Sequence, residues 1–455
     1  MEPDHRSRLK QWLASGQARL HPASFPQREL WETSPVDVAD PANHICAFLE
    51  IRGELTHADG AVAIQRVVDR HEVMRLSFLP GKEGPIQLVR ASMPAALSFR
   101  ELTPAQSQPE AMEKAMAEIY SQPFDIVQGP LYRAEILRRS PTDHVLAMAI
   151  HHSIADGWSL GVFVQDLAAA YLLGLADRRH PSAPSAGLPP VPMTHGEWVA
   201  AERAHWQSAE LARRAEFWRA QLAGSRRIWA DRDGTVRGPG PLQRRVGTLP
   251  AGPTRAIKEL ANRQRTTLFS TLLAAFQLSL WKWASRDDIV VGSPVANRHK
   301  EAVRQTMGYF AGVVPLRGRV DADRPFSNHL QATQETTVDC FTHAMPFAEL
   351  ARAMGESGGP DRHPVFDVRF ALQNHPVPDT QMTRFSTRLH MRSTGTARFD
   401  LGCEITEMKD ELEVVWLHRP SIISEADVID LDRLFLAVVA QACQRPDTRS
   451  AAVIP

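Results

Sequence analysis

The sequence predicts an α/β protein in two parts, because strand and helix patterns alternate on both sides of one proline-rich stretch. Residues 176–195 contain five prolines among serine and glycine. Such a stretch continues neither a helix nor a central strand, and it is typical of an extended connector. Helices and strands are mixed on either side, in open α/β style. The predicted division is a first lobe at 1–180, a connector at 181–195 and a second lobe at 196–455.

In the first lobe, apolar stretches of strand length alternate with stretches of helical periodicity. Strands are predicted at ICAFLEIRG, LYRAEILRRS and DHVLAMAIHHS, and helices at HADGAVAIQRVVDRHEVMR, PAQSQPEAMEKAMAEIYSQ and SLGVFVQDLAAAYLLGL. The third strand pattern is almost wholly apolar before its histidines, which indicates a strand buried on both faces.

The second lobe repeats this mixture. One long amphipathic helical stretch is predicted over EWVAAERAHWQSAELARRAEFWRAQLAG, and an apolar helix over LFSTLLAAFQLSLWKWAS, with Thr266 and Thr267 as candidate caps. Strands are predicted at DIVVGSPV, GVVPLRGRV, VFDVRFALQ, FDLGCEITE and LEVVWLH, and a closing helix at IDLDRLFLAVVAQACQ. No fixed-period repeat is visible, which argues against a solenoid.

Composition excludes several classes of protein. Lys+Arg and Asp+Glu are both 52, so the basic excess of a general nucleic-acid binder is missing. The start, MEPDHRSRLKQWLASGQ, lacks the apolar core of a secretory signal, and no run approaches the ~18 apolar residues of a membrane-spanning helix. The four cysteines have neither metal-ligand spacing nor a disulfide pattern. The expectation is a cytoplasmic, metal-free protein that binds neither nucleic acid nor membrane.

The segment HHSIADG (His151 to Gly157) carries residues for acid–base chemistry at a predicted strand-to-helix junction. Ligands collect at strand ends in open α/β sheets, and histidine titrates near neutrality, so it can take a proton from an attacking group. Because side chains alternate along a strand, His151 and His152 are expected to face opposite ways. Gly157 indicates a backbone with positive φ or a close approach by a ligand.

Asp156 and Ser159 each have two open roles. The Asp156 carboxylate, four residues after His152, can orient the imidazole as in a triad, or it can belong to an ion pair. Ser159 is a candidate to cap the following helix or to contact a substrate. A metal site is not predicted, because adjacent strand histidines diverge and no third ligand is evident.

The HHSIADG segment resembles the HHxxxDG signature of the condensation domains of nonribosomal peptide synthetases, within the chloramphenicol-acetyltransferase-like superfamily. Further motifs of that family follow in its order, over roughly residues 20 to 445. They are ASFPQRELW (from Ala23), RHEVMRLSF (from Arg70), DIVVGSPVANR (from Asp288), MGYFAGVVPLR (from Met307), MPFAEL (from Met345), HPVFDVRFALQN (from His363) and ARFDLGCEITE (from Ala397).

The resemblance implies two chloramphenicol-acetyltransferase-like lobes arranged in a V, with an active-site channel between them. The acyl donor is expected as a thioester on the phosphopantetheine arm of an acyl or peptidyl carrier protein. The acceptor is a small amine or alcohol, or a second carrier protein. The arm belongs to the carrier, so no cofactor bound by the chain itself is expected. The sequence shows no adenylation or carrier domain, which predicts a free-standing monomer that meets carriers in trans.

The resemblance also assigns roles at the junction. His152 is expected to act as general base or to position the nucleophile, and His151 to be structural. Asp156 is expected to pair with Arg298 and to hold the loop across the lobes. The Gly157 N–H is a candidate to bind the oxyanion that forms when the thioester carbonyl is attacked.

Three further residues, Trp158, Ser159 and Gly312, are candidates to line the channel for substrate and pantetheine. Gly312 stands where the family motif has an asparagine that helps to position the reacting groups, and Pro26 and Glu29 depart from the first motif. Amide and ester formation both stay open, and Gly312 together with the free-standing architecture is compatible with ester formation or with release onto an unusual amine. The predicted function is acyl transfer that forms an amide or ester, with chain release, in nonribosomal peptide or hybrid polyketide biosynthesis.

Three alternatives stay open. They are a CoA-dependent acyltransferase, an epimerase that uses His152 to exchange an α-proton, and a non-catalytic platform that docks carriers or other partners. The DFGWG motif of plant-type acyl-CoA enzymes is absent. Docking platforms usually have a broken signature, whereas His152, Asp156 and Gly157 are intact here. The heterocyclising branch has aspartates in place of the motif histidines and is excluded.

Overall fold

The structure, a computed structural model, describes residues 3–33, 43–82, 84–180, 187–229, 242–356, 363–373, 380–382, 385–392 and 399–454. Contacts divide the chain into two compact units. The first contains Met1–Trp206, Ala296–Ala311 and His375–Thr394, and the second contains Gln207–Val295, Gly312–Asn374 and Gly395–Pro455.

The elements follow one another in mixed order. Up to Trp206 they are α1 (Pro3–Ala14), β1 (Ala18–Pro22), α2 (Phe25–Thr33), β2 (His44–Arg52), α3 (His57–Arg70), β3 (Leu76–Leu79), β4 (Ile86–Arg90), β5 (Leu97–Glu101), α4 (Pro109–Ser121), β6 (Tyr132–Ser140), β7 (Asp143–His151), α5 (Gly157–Arg179) and α6 (His195–His205). From Gln207 they are α7 (Ser208–Gln221), β8 (Gln243–Leu249), α8 (Ala251–Gln264), α9 (Leu268–Ala284), β9 (Asp288–Val295), β10 (Gly312–Arg319), α10 (Phe326–Thr342), α11 (Phe347–Ala353), β11 (Val368–Gln373), β12 (Thr380–Met382), β13 (Phe385–Arg392), β14 (Leu401–Glu407), β15 (Leu412–His418), α12 (Glu425–Gln444) and α13 (Ser450–Val453).

The first unit is built on a six-stranded sheet in the order β12-β13-β2-β7-β6-β5, with a smaller sheet in the order β1-β4-β3. β7 pairs antiparallel with both β2 and β6, and its residues from 144 to 150 are buried. On one face Val145 and Ala147 pack against α4, and on the other Leu146 and Ile150 belong to the large core that includes α3 and α5. The predicted burial of this strand on both faces is confirmed.

Helix α5 passes through the core of the first unit. By length and composition alone it is apolar enough to cross a membrane, but 61% of its most apolar window is buried. It packs along α3, and Arg66 on α3 donates to the Ala170 carbonyl at 3.0 Å. These contacts explain its apolar character as that of a core helix.

The second unit is also built on a six-stranded mixed sheet, in the order β10-β9-β11-β14-β15-β8. β11 is parallel to both β9 and β14, while the other neighbours are antiparallel. The apolar helix α9 begins after Thr267, whose hydroxyl accepts from the Ser270 N–H as the sequence predicted. Helices α8, α10 and α12 pack on α9. The predicted α/β class, with helices and strands mixed in both halves, is confirmed.

Ion pairs with at least one buried partner anchor motif residues of the second unit. Arg317 on β10 makes two hydrogen bonds, at 2.7 and 2.6 Å, to Asp288 at the start of β9. Asp367 accepts from Arg227 at 3.1 Å and from the Trp229 N–H at 2.9 Å. The side chains of Arg317, Arg227 and Asp367 are at most 9% exposed, so each needs its partner to offset the cost of leaving water.

Two predicted boundaries are corrected. Residues 207–295 do begin a second unit, but 296–311 and 375–394 return to the first, so the second lobe is not the continuous stretch 196–455.

The single long helix predicted over 197–224 is two helices, because the chain leaves helical geometry at Trp206, where ψ is 63°. That break falls where the chain passes from the first unit to the second. Of the connector 181–195, residues 181–186 lie outside the described residues.

Replacing Gly292 with alanine is expected to destabilise the second unit. A Cβ at Gly292 would lie 2.0 Å from Cε2 of the Phe366 ring, which is fully buried. Overpacking of this kind costs about 1–3 kcal/mol. Chemical denaturation of Gly292→Ala should show that loss. Gly252→Ala is the matched control, since its Cβ would meet nothing within 4 Å, and an equal loss in both variants would contradict the argument.

Candidate active site

The HHSIADG segment turns the chain from strand to helix in a short distance. β7 ends at His151, a 3-10 turn covers His152–Ile154, and α5 begins at Gly157. The expectation that both histidines lie on the strand was wrong. His152 already belongs to the 3-10 turn, so its direction is set by that turn and not by strand alternation.

The first sequence motif, ASFPQRELW, is hydrogen-bonded to the loop that carries the two histidines. The Gln27 amide donates to the Ser153 carbonyl at 2.9 Å. Gln27 is itself fixed, because its side-chain oxygen accepts from the Ser24 N–H at 2.9 Å and its own N–H donates to the Ser24 hydroxyl at 3.1 Å. The Ser–Gln pair at the start of α2 therefore supports the histidine loop.

The two histidines have different surroundings. The His151 Nδ1 lies 2.7 Å from the Ser153 hydroxyl, and its ring is 6.1 Å from the Phe124 ring, edge to face. The half-buried His152 ring instead lies 4.6 Å from the Tyr309 ring at an interplanar angle of 64°. The two rings thus contact different groups, while the prediction that they face opposite ways stays a prediction.

Asp156 ends the loop as the N-cap of α5. Its Oδ1 accepts from the Ser159 N–H at 2.9 Å and from Arg298 Nη2 at 3.1 Å, and its Oδ2 accepts from the Phe310 N–H at 3.2 Å. The residue is 2% exposed. These bonds favour the ion pair with Arg298 over the alternative in which Asp156 orients the His152 imidazole.

Arg298 provides the opposite charge and distributes it over the neighbouring chain. It is 5% exposed, and its Nη1 donates to the Val303 and Thr306 carbonyls, both at 2.7 Å. Its guanidinium carbon lies 4.0 Å from the Phe310 ring centroid. Burial lowers the pKa of this arginine, and the charge of Asp156 opposes that shift. Both partners belong to the first unit, so the pair joins two distant chain segments within one unit.

Ser159 is part of this network. Its hydroxyl accepts from the Gly308 N–H at 3.1 Å and lies 2.8 Å from two acceptors, the Gly308 carbonyl and Asp156 Oδ1. Ser159 is fully buried. The prediction that Ser159 caps α5 is therefore corrected, because Asp156 is the cap and Ser159 is the third residue of the helix. The buried hydroxyl also makes Ser159 a poor candidate for a channel wall.

Three other candidate residues occupy separate positions. Gly157 is the first residue of α5 and does not have positive φ, so the expectation of positive φ was wrong. Its N–H is among those at the start of an α-helix that have no partner within the helix. Trp158 is half-buried and donates to the Arg304 carbonyl at 2.9 Å. Gly312 begins β10 of the second unit, where it pairs with Val295.

A second buried network lies at the RHEVMRLSF motif and extends beyond what the sequence predicted. The Met307 N–H donates to Nδ1 of His71 at 3.3 Å, so the proton of the ring lies on Nε2, which is 2.6 Å from Asp166 Oδ2 on α5. Burial lowers the pKa of His71, and the hydrogen bond to Asp166 opposes this shift. Arg70 also pairs with Asp166. The sequence motif contains Arg70 and His71 side by side, but nothing in the sequence indicated that Asp166 is their partner.

Gly308 and His195 meet in the same region. A Cβ at Gly308 would lie 2.4 Å from the His195 ring, so only glycine fits. His195, the first residue of α6, is fully buried beside Phe310, with ring centroids 5.2 Å apart. Burial is the main reason that its pKa is lowered from 6.5 to about 4.

Within the described part of the chain, no group of three or more His, Cys, Asp or Glu side chains is arranged to hold a metal ion. The four cysteines are free thiols; Cys46, Cys340 and Cys403 are buried, and Cys443 is half-buried.

A family model described as the condensation domain matches residues 17–453. The chain belongs to the condensation-domain family. Membership implies acyl transfer with amide-bond formation, and it confirms the resemblance inferred from the motifs. The free-standing state and the roles of single residues stay predictions.

Curated relatives of this condensation domain are much larger synthetases. It is 28% identical over 441 residues to the chondramide synthase cmdD of Chondromyces crocatus, covering 95% of this chain and 11% of that one. It is 28% identical over 420 residues to phosphinothricin tripeptide synthetase PhsC of Streptomyces viridochromogenes, covering 91% and 38%. The chain thus spans a minor part of these relatives.

Solved structures share its fold over almost the whole length. The X-domain in a complex with OxyB from teicoplanin biosynthesis has a TM-score of 0.81 at 23% identity, covering 95% of each chain. The first condensation domain of the CDA synthetase has a TM-score of 0.77 at 20% identity, covering 96% and 99%. These similarities confirm the predicted α/β fold.

Removing the charge of Asp156 is expected to destabilise the condensation domain strongly. Asp156→Asn leaves Arg298 buried without its counter-charge, which costs about 3–5 kcal/mol. The free energy of unfolding from denaturant titration measures it. Asp430→Asn is the matched control, because Asp430 forms an exposed pair with Arg433 and should change stability by less than ~1 kcal/mol. A loss below that value for Asp156→Asn would refute the role of the buried pair.

Stability is expected to fall in acid because His195 is buried in its neutral form. The unfolded chain binds this proton near pH 6.5 and the folded chain only near pH 4. The contribution is therefore complete above pH 6.5 and is lost as pH falls towards 4, by about 3 kcal/mol. Denaturation at several pH values should show a shallower slope for His195→Gln than for wild type. Exposed His205→Gln should keep the wild-type slope, and unchanged slopes in both variants would contradict this assignment.

Proposed function

We propose that this condensation domain transfers an acyl group from a phosphopantetheinyl thioester on a carrier protein to an amine or hydroxyl acceptor, in nonribosomal peptide or hybrid polyketide biosynthesis. The acceptor is a small molecule or a second carrier-bound group, and transfer to a free acceptor releases the chain. The protein uses no cofactor of its own, since the pantetheine arm comes with the carrier. In this proposal it acts in the cytoplasm.

The observation that carries the proposal is that His152 lies shortly before the N-terminus of α5 in the chain. His152 and Gly157 are both half-buried and are separated by one short turn. Asp156 and Arg298 hold that turn from the buried side. A histidine base next to unsatisfied N–H groups suits a reaction in which a nucleophile loses a proton while a carbonyl oxygen gains negative charge.

Each residue then has one task. His152 accepts the proton of the acceptor nucleophile, or holds that nucleophile towards the thioester carbonyl. The Gly157 N–H donates to the oxyanion, assisted by the positive end of the α5 dipole. The thiol of the arm leaves as the carbonyl re-forms. His151, Asp156 and Arg298 keep the loop in place, and Trp158 and Gly312 stay candidates for contact with the arm or acceptor.

The alternatives lead to different reactions. A CoA-dependent acyltransferase would use acyl-CoA as well as the acyl carrier. An epimerase would exchange the α-proton of a carrier-bound aminoacyl group without any acceptor. A docking platform would bind a partner and catalyse neither reaction; the X-domain in its complex with OxyB is a protein of similar fold found with a partner.

The proposal is tested by mixing the protein with an acyl-loaded carrier and a panel of amine and alcohol acceptors, followed by intact-protein mass spectrometry. Loss of the acyl group only when carrier, acceptor and enzyme are present supports it. Faster turnover of free acyl-CoA supports the first alternative, and deuterium loss without acceptor supports the second. A stable carrier under every condition overturns the proposal.

His152→Ala is expected to impair ester formation more than amide formation. An α-amine has a pKa near ~8 and is partly unprotonated at neutral pH, whereas a hydroxyl needs a base. The loss with an alcohol acceptor should reach about 10²–10⁴-fold, with a smaller loss for the matched amine. Initial rates with the two acceptors measure this, and exposed His205→Ala serves as control. Equal losses for both acceptors would refute a general base at His152.

A further inference from the structure

Tyr309 lies beside His152 on a segment whose main chain is fixed from several sides. The Phe310 N–H donates to Asp156 at 3.2 Å, and the Phe310 carbonyl accepts from the Asn297 amide at 2.9 Å. On the other side, the Gly308 N–H donates to the Ser159 hydroxyl at 3.1 Å. Residues 308 and 310 are thus anchored on both sides of Tyr309, which fixes the origin of its side chain.

The anchors continue along the segment. The Met307 N–H is bonded to His71, and the Thr306 carbonyl accepts from Arg298 at 2.7 Å while its hydroxyl donates to the Met193 carbonyl at 2.6 Å. The neighbours Met307, Gly308 and Phe310 are buried, whereas Tyr309 is half-buried. Of the segment 306–310, Tyr309 has its ring in contact with the His152 imidazole.

We propose that Tyr309 is the positioning residue for His152: its ring, held by the main chain of 306–310, packs edge to face against the imidazole and fixes the rotation of that ring. The centroid distance of 4.6 Å and the angle of 64° lie within the preferred geometry of aromatic pairs. This inference goes beyond the proposed function, and it rests on that function only where turnover is the readout.

The bonds of Asp156 show that its carboxylate is engaged by other groups than the His152 imidazole. A histidine base works when a third group orients it, and a carboxylate usually does so. Here the Asp156 carboxylate is occupied by Ser159, Arg298 and the Phe310 N–H. The buried network therefore acts on His152 indirectly, since it fixes the main chain that carries Tyr309.

The residue at this position is a tyrosine in this chain. In the motif that MGYFAGVVPLR resembles, the residue between the glycine and the phenylalanine is unspecified, and here it is Tyr309. The contact is made by the aromatic ring, so phenylalanine should replace tyrosine, whereas an aliphatic residue of similar bulk should not.

The first experiment needs no turnover. The 455-residue chain is labelled with ¹³Cε1-histidine, and the His152 signal is identified by its loss in His152→Ala. Tyr309→Leu should move that signal, because the ring current of the tyrosine is lost, and should change its pH titration. Tyr309→Phe should leave both close to wild type. Tyr120→Leu, at another half-buried tyrosine of the same unit, should leave both unchanged.

The second experiment is a double-mutant cycle on acyl transfer. Tyr309→Leu should lower kcat about three- to tenfold, the contribution of one aromatic pair, with KM for the acyl carrier unchanged. In the His152→Ala background the same substitution should change kcat less than about twofold, since the residue through which it acts is gone. Tyr120→Leu should change kcat by the same factor in the wild-type and His152→Ala backgrounds.

The outcomes distinguish the positioning role of Tyr309 from the proposed acyl-transfer function. An unmoved His152 signal in Tyr309→Leu, or full additivity with His152→Ala, overturns the positioning role. A moved signal in a protein that transfers no acyl group supports the positioning role and overturns the proposed function. If Tyr309→Leu fails to fold, as judged by its unfolding transition, Tyr309→Met takes its place with the same expected results.

Discussion

The negative charge of Asp156 lies inside the protein, and the active-site region is arranged around the groups that neutralise it. A buried carboxylate is tolerated only when donors and an opposite charge surround it. The donors come from three places in the chain: the first turn of α5, Arg298 and the main chain at Phe310. Meeting this requirement brings the histidine loop, the turn after β9 and the segment before β10 together. It also leaves His152 and the α5 N-terminus at the partly exposed side of the same loop.

The same principle recurs at other motifs of the condensation-domain family. Arg70 and His71 meet Asp166, Arg317 meets Asp288, and a buried pair joins Asp400 to Arg419 at 3.3 Å. These residue types suggest chemistry when read along the chain. In the fold each of them belongs to an ion pair, and a buried charge specifies its partner and so fixes which segments meet. Within the described part of the chain, His152 combines partial exposure with a position shortly before the N-terminus of α5.

Much of the fold followed from local pattern. β7 was identified by its apolar run and α9 by its threonine cap, and both follow rules that act within a few residues. The sequence predicted α6 and α7 as one helix. The break between them depends on which unit each helix packs against, and no local pattern shows that. The return of 296–311 to the first unit was equally invisible, since no local signal states with which unit a turn makes its contacts.

The sequence by itself determined the α/β class, the strand-to-helix junction at HHSIADG and the family to which the motifs belong, because these depend on residue type and spacing over short stretches. Only the tertiary structure decided that Asp156 caps α5, that His71 is hydrogen-bonded to Asp166 and that Tyr309 contacts His152. Asp156 and Arg298 are 142 residues apart, and His71 and Asp166 are 95 apart. Contacts over such separations depend on packing and on the cost of burying charge, and neither is encoded in the periodicity of a single element.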